Sequence, residues 1–241
     1  MKYRIPDGTT IAGSGPNKYL VFSEDSHFGN TNGLIPFAFN ENGEEACLSS
    51  AEGDVLTGYR EVEDFGASET GVSFGRYYKA STDNFNFVAM DHNTPGEINA
   101  DPKVGPIVIN EIMYHPDWPE GGSYNNDDYE YIELHNITGS PVTLYDYETN
   151  EPWKFTDGID FTFPAGPDEV TIPADGYLLV VKNLAAFAWR YPSVPAEKVL
   201  GPYDGRLNNG GERLELSKPG DVDTQGVRYY IRIDRVNYSD G

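Results

Sequence analysis

At 241 residues, with 38% apolar residues, 17 Tyr and 12 Phe, the chain suits one or two globular β domains rather than a disordered protein. Thirty-nine acidic against 17 basic residues leave a net charge of −22, which repels polyanions and argues against nucleic-acid binding. No stretch approaches the roughly 18 apolar residues of a membrane span, and MKYRIPDGTT has no apolar h-region, so neither membrane insertion nor a signal peptide is expected.

In chain order, the turn residues Gly15-Pro16-Asn17 lead into Tyr19-Leu-Val-Phe22, a short apolar run that reads as a buried strand. Ser23 to Phe28 reads as a short helix. Asn40-Glu-Asn-Gly43 is a tight-turn signal, since Asn and Gly tolerate positive φ, and a strand follows it. Cys47, the single cysteine, falls in the alternating run EACLS as a small strand residue, with no second thiol and no electropositive setting visible. Ser73 to Tyr77, Phe85 and Phe87 form an aromatic tail. Thr94 to Pro106, rich in Pro and Gly, reads as an extended linker.

Beyond the linker come a strand from Ile107 to Met113, a loop rich in Gly, Asn and Asp, and an alternating strand from Tyr129 to Asn136. Pro173-Ala-Asp-Gly176 introduces a strand from Tyr177 to Val181. Asn183 is placed to cap a helix, Leu184 to Arg190, which Tyr191-Pro192 ends. Asn208-Asn-Gly-Gly211 is a second tight turn, ahead of Glu212-Arg-Leu-Glu-Leu216.

Much of this occurs twice. Ile5 to Phe28 (IPDGTTIAGSGPNKYLVFSEDSHF) is matched by Phe163 to Phe187 (FPAGPDEVTIPADGYLLVVKNLAAF), and Phe39 to Val55 by Leu207 to Val222. The repeating unit is a β-rich module of roughly 130 residues, within ordinary domain size. Residues 1–100 read as the rear of a first module plus linker, and 104–241 as a near-complete second module. The expectation is a piece cut off-register from a longer tandem array. A first module without its front strands exposes a sheet edge, suited to packing on the second module or to self-association.

The segments IVINEIMYHP (Ile107 to Pro116) and EYIELHN (Glu130 to Asn136) resemble the lamin tail domain of bacterial proteins. The likeness continues through Val142-Thr-Leu144, Trp153, Phe163-Pro164, Ile172, Gly176 to Val181, Phe187, NNGGERLEL and Asp234 to Tyr238. It implies an all-β, immunoglobulin-like β-sandwich with a core of Ile109, Ile112, Ile132, Leu134, Trp153, Leu178, Val180, Leu214 and Leu216. Such domains are accessory modules of secreted or cell-surface proteins, with no defining catalytic residues. The resemblance therefore implies a non-enzymatic interaction or structural module whose partners are other protein modules or cell-surface components.

Among candidate sites, the loop from Asp117 to Asp128 places Asp117, Glu120, Asp127 and Asp128, with Asn125 and Asn126, in one turn-rich segment. Ca²⁺ takes about six to eight oxygen ligands, which such a loop offers, although it lacks the ordered spacing of an EF-hand; a solvated acidic loop fits the same residues. Calcium is the one cofactor suggested. Glu111 and Glu133 could pair for acid–base work or simply occupy the outward face of a sheet, Glu111 bonding backbone or a neighbouring Tyr. His115 and His135 would approach each other if their strands pair, without further zinc ligands. Trp118, Tyr124, Tyr145, Tyr147 and Trp189 mix aromatic faces with nearby Asn and Asp, as in sugar-binding surfaces or in packing between loops. These features give the alternative of a carbohydrate- or calcium-dependent adhesion module. Asn136-Ile-Thr138 and Asn237-Tyr-Ser239 fit the glycosylation sequon.

Overall fold

A computed structural model describes residues 2–15, 18–29, 35–53 and 55–239 of an all-β chain that divides into two compact units, 1–103 and 104–241. Pro16 and Asn17 of the first expected turn lie outside the described residues.

The second unit is a sandwich. One sheet has the order β13-β12-β6-β5: Val199–Leu200, Tyr177–Val181, Tyr131–Asn136 and Ile107–Met113. The other has the order β10-β14-β15: Lys154–Asp157, Glu212–Val222 and Arg228–Tyr238. Short pairs, β7 (Val142–Thr143) with β11 (Thr171–Ile172) and β8 (Tyr145–Asp146) with β9 (Glu151–Pro152), complete it. Alternation sets the inward faces: in β6 the even positions are buried and the odd ones half-exposed. Ile107, Ile109, Ile132, Leu134, Leu178 and Val180 of one sheet meet Phe155, Leu214 and Leu216 of the other, with Trp153 and Leu207 closing the ends. Ile112, expected in this core, packs against it only partly buried, because the bulge between Ile109 and Glu111 shifts the face of β5. Helix α1 (Leu184–Arg190) has the expected bounds; the Asn183 side chain accepts from the amides of Ala185 and Ala186, and Phe187 packs with Leu179 and Val181.

The first unit consists of two hairpins, β1 (Gly43–Glu52) with β2 (Val55–Gly66) and β3 (Phe74–Lys79) with β4 (Asn84–Ala89). Arg76 of β3 ties the hairpins together by ion pairs to Glu61 at 2.9 Å and Glu63 at 2.7 Å of β2. Rings in contact run from Phe28 through Phe37, Phe39, Phe65 and Phe74 to Phe87. Two sequence expectations are corrected here. Tyr19 to Phe22 is not a strand: among the described residues no strand lies beside it to take its backbone hydrogen bonds, whereas its counterpart β12 is a strand between β6 and β13. The Ser23–Phe28 helix is a single π-helical turn, Glu24–Phe28, with the Ser23 hydroxyl accepting from the Ser26 amide.

The turns before β14 and β1 share one hydrogen-bond geometry. Before β14, the amide of Asn208 donates to Glu212 at 2.9 Å, the amide of Gly210 to Asn208 Oδ1 at 2.9 Å, and Gly211 has φ +100°. Before β1, the amide of Asn40 donates to Glu44 at 2.7 Å, the amide of Asn42 to Asn40 Oδ1 at 2.9 Å, and Gly43 has φ +98°. Only glycine suits both positions. A Cβ at 211 would lie 2.4 Å from the Tyr238 carbonyl oxygen, and one at 43 would lie 2.5 Å from that of Phe65.

Candidate functional site

The polar centre of the second unit is Glu130, which stands at the head of β6 and is fully buried. Its position follows from the pleat, since residue 130 shares the inward parity of Ile132 and Leu134. One carboxylate oxygen accepts from the Tyr203 hydroxyl at 2.6 Å and from the Leu207 amide at 3.0 Å. The other oxygen has no hydrogen-bond partner among the described residues. Burial pushes the Glu130 carboxyl above its usual range, while the two hydrogen bonds pull it back. Burial, followed by the hydrogen bond to Glu130, drives the Tyr203 phenol strongly upward. The pair crosslinks β6 to the 203–207 loop, and Glu130 is 0% exposed.

Asn136 ends the same strand, also fully buried. Its amide nitrogen donates to the carbonyls of Ser140, Ile172 and Pro173 at 2.8–3.0 Å, and its oxygen accepts from the Thr138 amide and hydroxyl. The sequon asparagine is therefore a structural clamp between loops. Sequence reading passed over Glu130 as a site residue and took Asn136 only as a sequon asparagine and strand end, although their even spacing with Ile132 and Leu134 was the available signal.

The acidic loop does not gather its carboxylates. Asp117 and Glu120 are exposed, and at Asp117 it is the backbone carbonyl that is engaged, by Arg190 at 2.7 Å. Asp128 accepts from the Asn125 amide at 2.9 Å and from the Asn183 side chain at 3.2 Å, tying a 3₁₀ turn (Asn126–Tyr129) to the α1 cap. Asp127 faces Arg206 at 3.8 Å. Among the described residues, no three His, Cys, Asp or Glu side chains are grouped to hold a metal ion.

Glu111 and Glu133 face each other across β5 and β6. The Tyr131 hydroxyl donates to Glu111 at 2.6 Å, and the Asn110 amide donates to Glu133 at 2.7 Å. Burial, then Glu111, raises the Tyr131 phenol. The expected meeting of His115 and His135 does not occur. In the β5–β6 register His135 lies opposite Val108, and its ring stacks on Tyr177 with Nε2 2.9 Å from Asp175. The aromatic candidates form two groups. Tyr124 and Trp189 both contact the buried Tyr129, and Tyr145 contacts Tyr147. Trp118 and Tyr147 are exposed. Cys47 is exposed as well and lies in β1 as expected, with its thiol between opposite charges: the Arg60 guanidinium donates to Sγ at 2.9 Å and Sγ donates to Glu45 at 2.8 Å.

No family model matches the chain, and no curated protein or solved structure is significantly similar to it.

A second surface lies in the first unit. An open groove of 320 Å³ is lined mainly by Phe39, Ala46, Phe65, Val72, Phe74 and Phe87. Four of its nine lining residues are Phe and its wall is mostly apolar, with Asn40, Glu41 and Ser68 as the polar members, which suits an occupant with apolar side chains and few charges.

Proposed function

We propose that the chain is a non-enzymatic interaction or structural module, of the lamin-tail, immunoglobulin-like kind, from a larger secreted or surface-associated bacterial protein. The observation that carries this reading is the use made of the polar side chains. Glu130, Asn136, Asp128, Glu111 and Glu133 spend their hydrogen bonds on the protein itself, crosslinking strands and loops. A catalytic constellation instead holds its acid, base or nucleophile ready toward a substrate position. The apolar groove of the first unit supports binding of other protein modules, since protein contacts centre on aromatic anchors with few charges.

Two measurements test the reading. A screen of the purified chain on ester, glycoside, phosphoester and peptide substrates is expected to give no turnover above a denatured control. Turnover abolished by Glu111→Gln or Glu133→Gln would overturn the non-enzymatic half. Fractionation of the native host with an antibody to the second unit is expected to place the parent protein at the surface or in the medium; a purely cytoplasmic pool would overturn the other half.

A further inference from the structure

We infer that the outward face of the β10-β14-β15 sheet is a docking surface for an acidic polypeptide segment, held through its carboxylates. The inference deepens the reading of the chain as an interaction module, and rests on it. Its ground is a local reversal of charge in a chain whose net charge is −22.

Directly opposed residues of an antiparallel pair share a face, and Leu214 and Leu216 point into the core, so the register gives the outward set. Lys154, Ser217 and Arg232 form one row across the three strands. Glu215 with Arg235, and Arg213 with Asn237, form the next two. Four cations thus stand against two carboxylates, Glu215 and an edge residue, Asp157, which lies 3.7 Å from Arg213. The Lys154 ammonium sits over the Tyr230 ring at 4.0 Å. Among the described residues, the side chains of Arg232 and Arg235 make no hydrogen bond and no ion pair. Burial, then the like charges of Arg232 and Arg213, pulls the Arg235 guanidinium below its usual range.

The repeated hairpin of the first unit shows the opposite arrangement. Arg213, Glu215 and Ser217 correspond to Glu45, Cys47 and Ser49; through the two registers, Arg232, Arg235 and Asn237 correspond to Arg60, Val62 and Asp64. There one cation meets two carboxylates, and Arg60 is ion-paired with Glu45. In the second unit an arginine takes the place of Glu45, another takes that of Val62, and a neutral Asn takes that of Asp64. Arg232 keeps the position of Arg60 and loses its partner. In the first unit the chain runs on from β2 into β3 and β4 without covering this face, since Glu45 and Arg60 side chains remain 48% and 54% exposed.

The occupant follows from the layout. Strands lie about 4.8 Å apart, so a single small anion meets one row, whereas these cations span three strands. Guanidiniums fork onto carboxylates in pairs of charge-assisted hydrogen bonds. A long polyanion meets the repulsion of the whole chain. A short acidic stretch of protein brings few charges, and its other side chains can rest on Tyr230 and the stem of the half-buried Arg232.

The test titrates the full chain with a synthetic peptide of alternating Glu and Thr, which sets its carboxylates on one side of an extended strand. Saturable binding is expected, weakening as salt is raised, with NMR shifts moving at the side chains of Arg213, Arg232 and Arg235. Arg232→Gln with Arg235→Gln is expected to weaken binding about tenfold or more. Arg232→Lys with Arg235→Lys, which keeps the charge, is expected to lose less, and Arg60→Gln to lose nothing. Absence of binding, equal losses in the Gln and Lys variants, or shifts confined to other segments would overturn the inference. So would tighter binding of a heparin fragment or an oligonucleotide than of the Glu peptide, which would make the face a polyanion site. Salt-sensitive self-association that Arg232→Gln with Arg235→Gln abolishes would overturn it too, by making a second copy the occupant. The turnover screen and the fractionation are unaffected by these outcomes, so failure here is distinct from failure of the functional reading.

Discussion

The Tyr203 hydroxyl donates to Glu130 at 2.6 Å inside the sandwich, joining the head of β6 to the loop that leads into β14. The same carboxylate oxygen takes the Leu207 amide, so one acidic side chain satisfies two buried donors. Leaving a buried donor without its acceptor costs about 1–3 kcal/mol each. Glu130→Ala is therefore expected to destabilise the second unit by about 2–5 kcal/mol, measured by urea unfolding. Glu130→Gln, which keeps an acceptor oxygen, is expected to cost less. Equal losses in the two variants would show that the carboxylate does not hold these donors.

Burial also gives Glu130 a pH signature. Its carboxyl is raised in the folded protein, so the folded state holds this proton more tightly than the unfolded chain does. The contribution is fully present below the ordinary Glu range, and is lost as pH climbs through the raised folded value. The tyrosines behave in parallel at high pH. Tyr203, Tyr131 and Tyr238 are all raised, burial being the first cause in each. Stability is expected to fall as pH rises beyond the ordinary tyrosine value of about 10, with tyrosinate absorbance appearing together with unfolding. Gradual tyrosinate formation in a folded chain would refute this. Glu130→Gln is expected to flatten the acid-to-neutral part of the profile and leave the alkaline part intact.

Glu130 also shows where sequence reading succeeds and where it stops. Period-two alternation identifies β6, and eight of the nine expected core residues are buried in the main cluster. The same parity places Glu130 and Asn136 inside, yet a polar residue on the inward face is intelligible only when its partners are known. Those partners, Tyr203, Leu207 and Ile172, come from distant segments. Tyr19 to Phe22 fails for a related reason. A strand is a property of neighbouring chains as much as of its own residues, and the composition that makes β12 a central strand leaves this segment irregular where no neighbouring strand is present among the described residues. For Cys47 the decisive Arg60 comes from the opposite strand, and the β1–β2 register is not readable locally.

The duplicated turns allow a paired experiment. Gly211 and Gly43 combine positive φ with backbone atoms closer than 3 Å to any added Cβ. Residues forced into such conformations cost of order 1–3 kcal/mol each. Gly211→Ala is expected to lower the stability of the second unit by at least about that amount. Gly43→Ala is expected to act on the first unit alone, speeding hydrogen exchange in 40–66 without altering the exchange of β14 and β15. A control, Gly53→Ala, has positive φ but nothing within 4 Å of the added Cβ, and is expected to cost less. Equal effects at positions 43 and 53 would assign the penalty to φ rather than to the close approach of the partner strand.

The acidic loop yields a last prediction, concerning metal. Asp128 uses one oxygen for the Asn125 amide and the other for Asn183, whose own oxygen caps α1. Calcium would have to compete with both bonds and draw in Asp117 and Glu120 from exposed positions. Calorimetric titration of the metal-stripped chain with Ca²⁺ is expected to show no binding heat and no shift in melting temperature. Asp128→Asn keeps acceptor capacity on one oxygen only, and is expected to cost about 0.5–1.5 kcal/mol, the range for one hydrogen bond, while Asn183 still caps α1. That loss should be the same with and without Ca²⁺. A calcium-dependent gain in stability that disappears in Asp128→Asn would instead make this loop a cation site, with Asp128 exchanging its structural bonds for the metal.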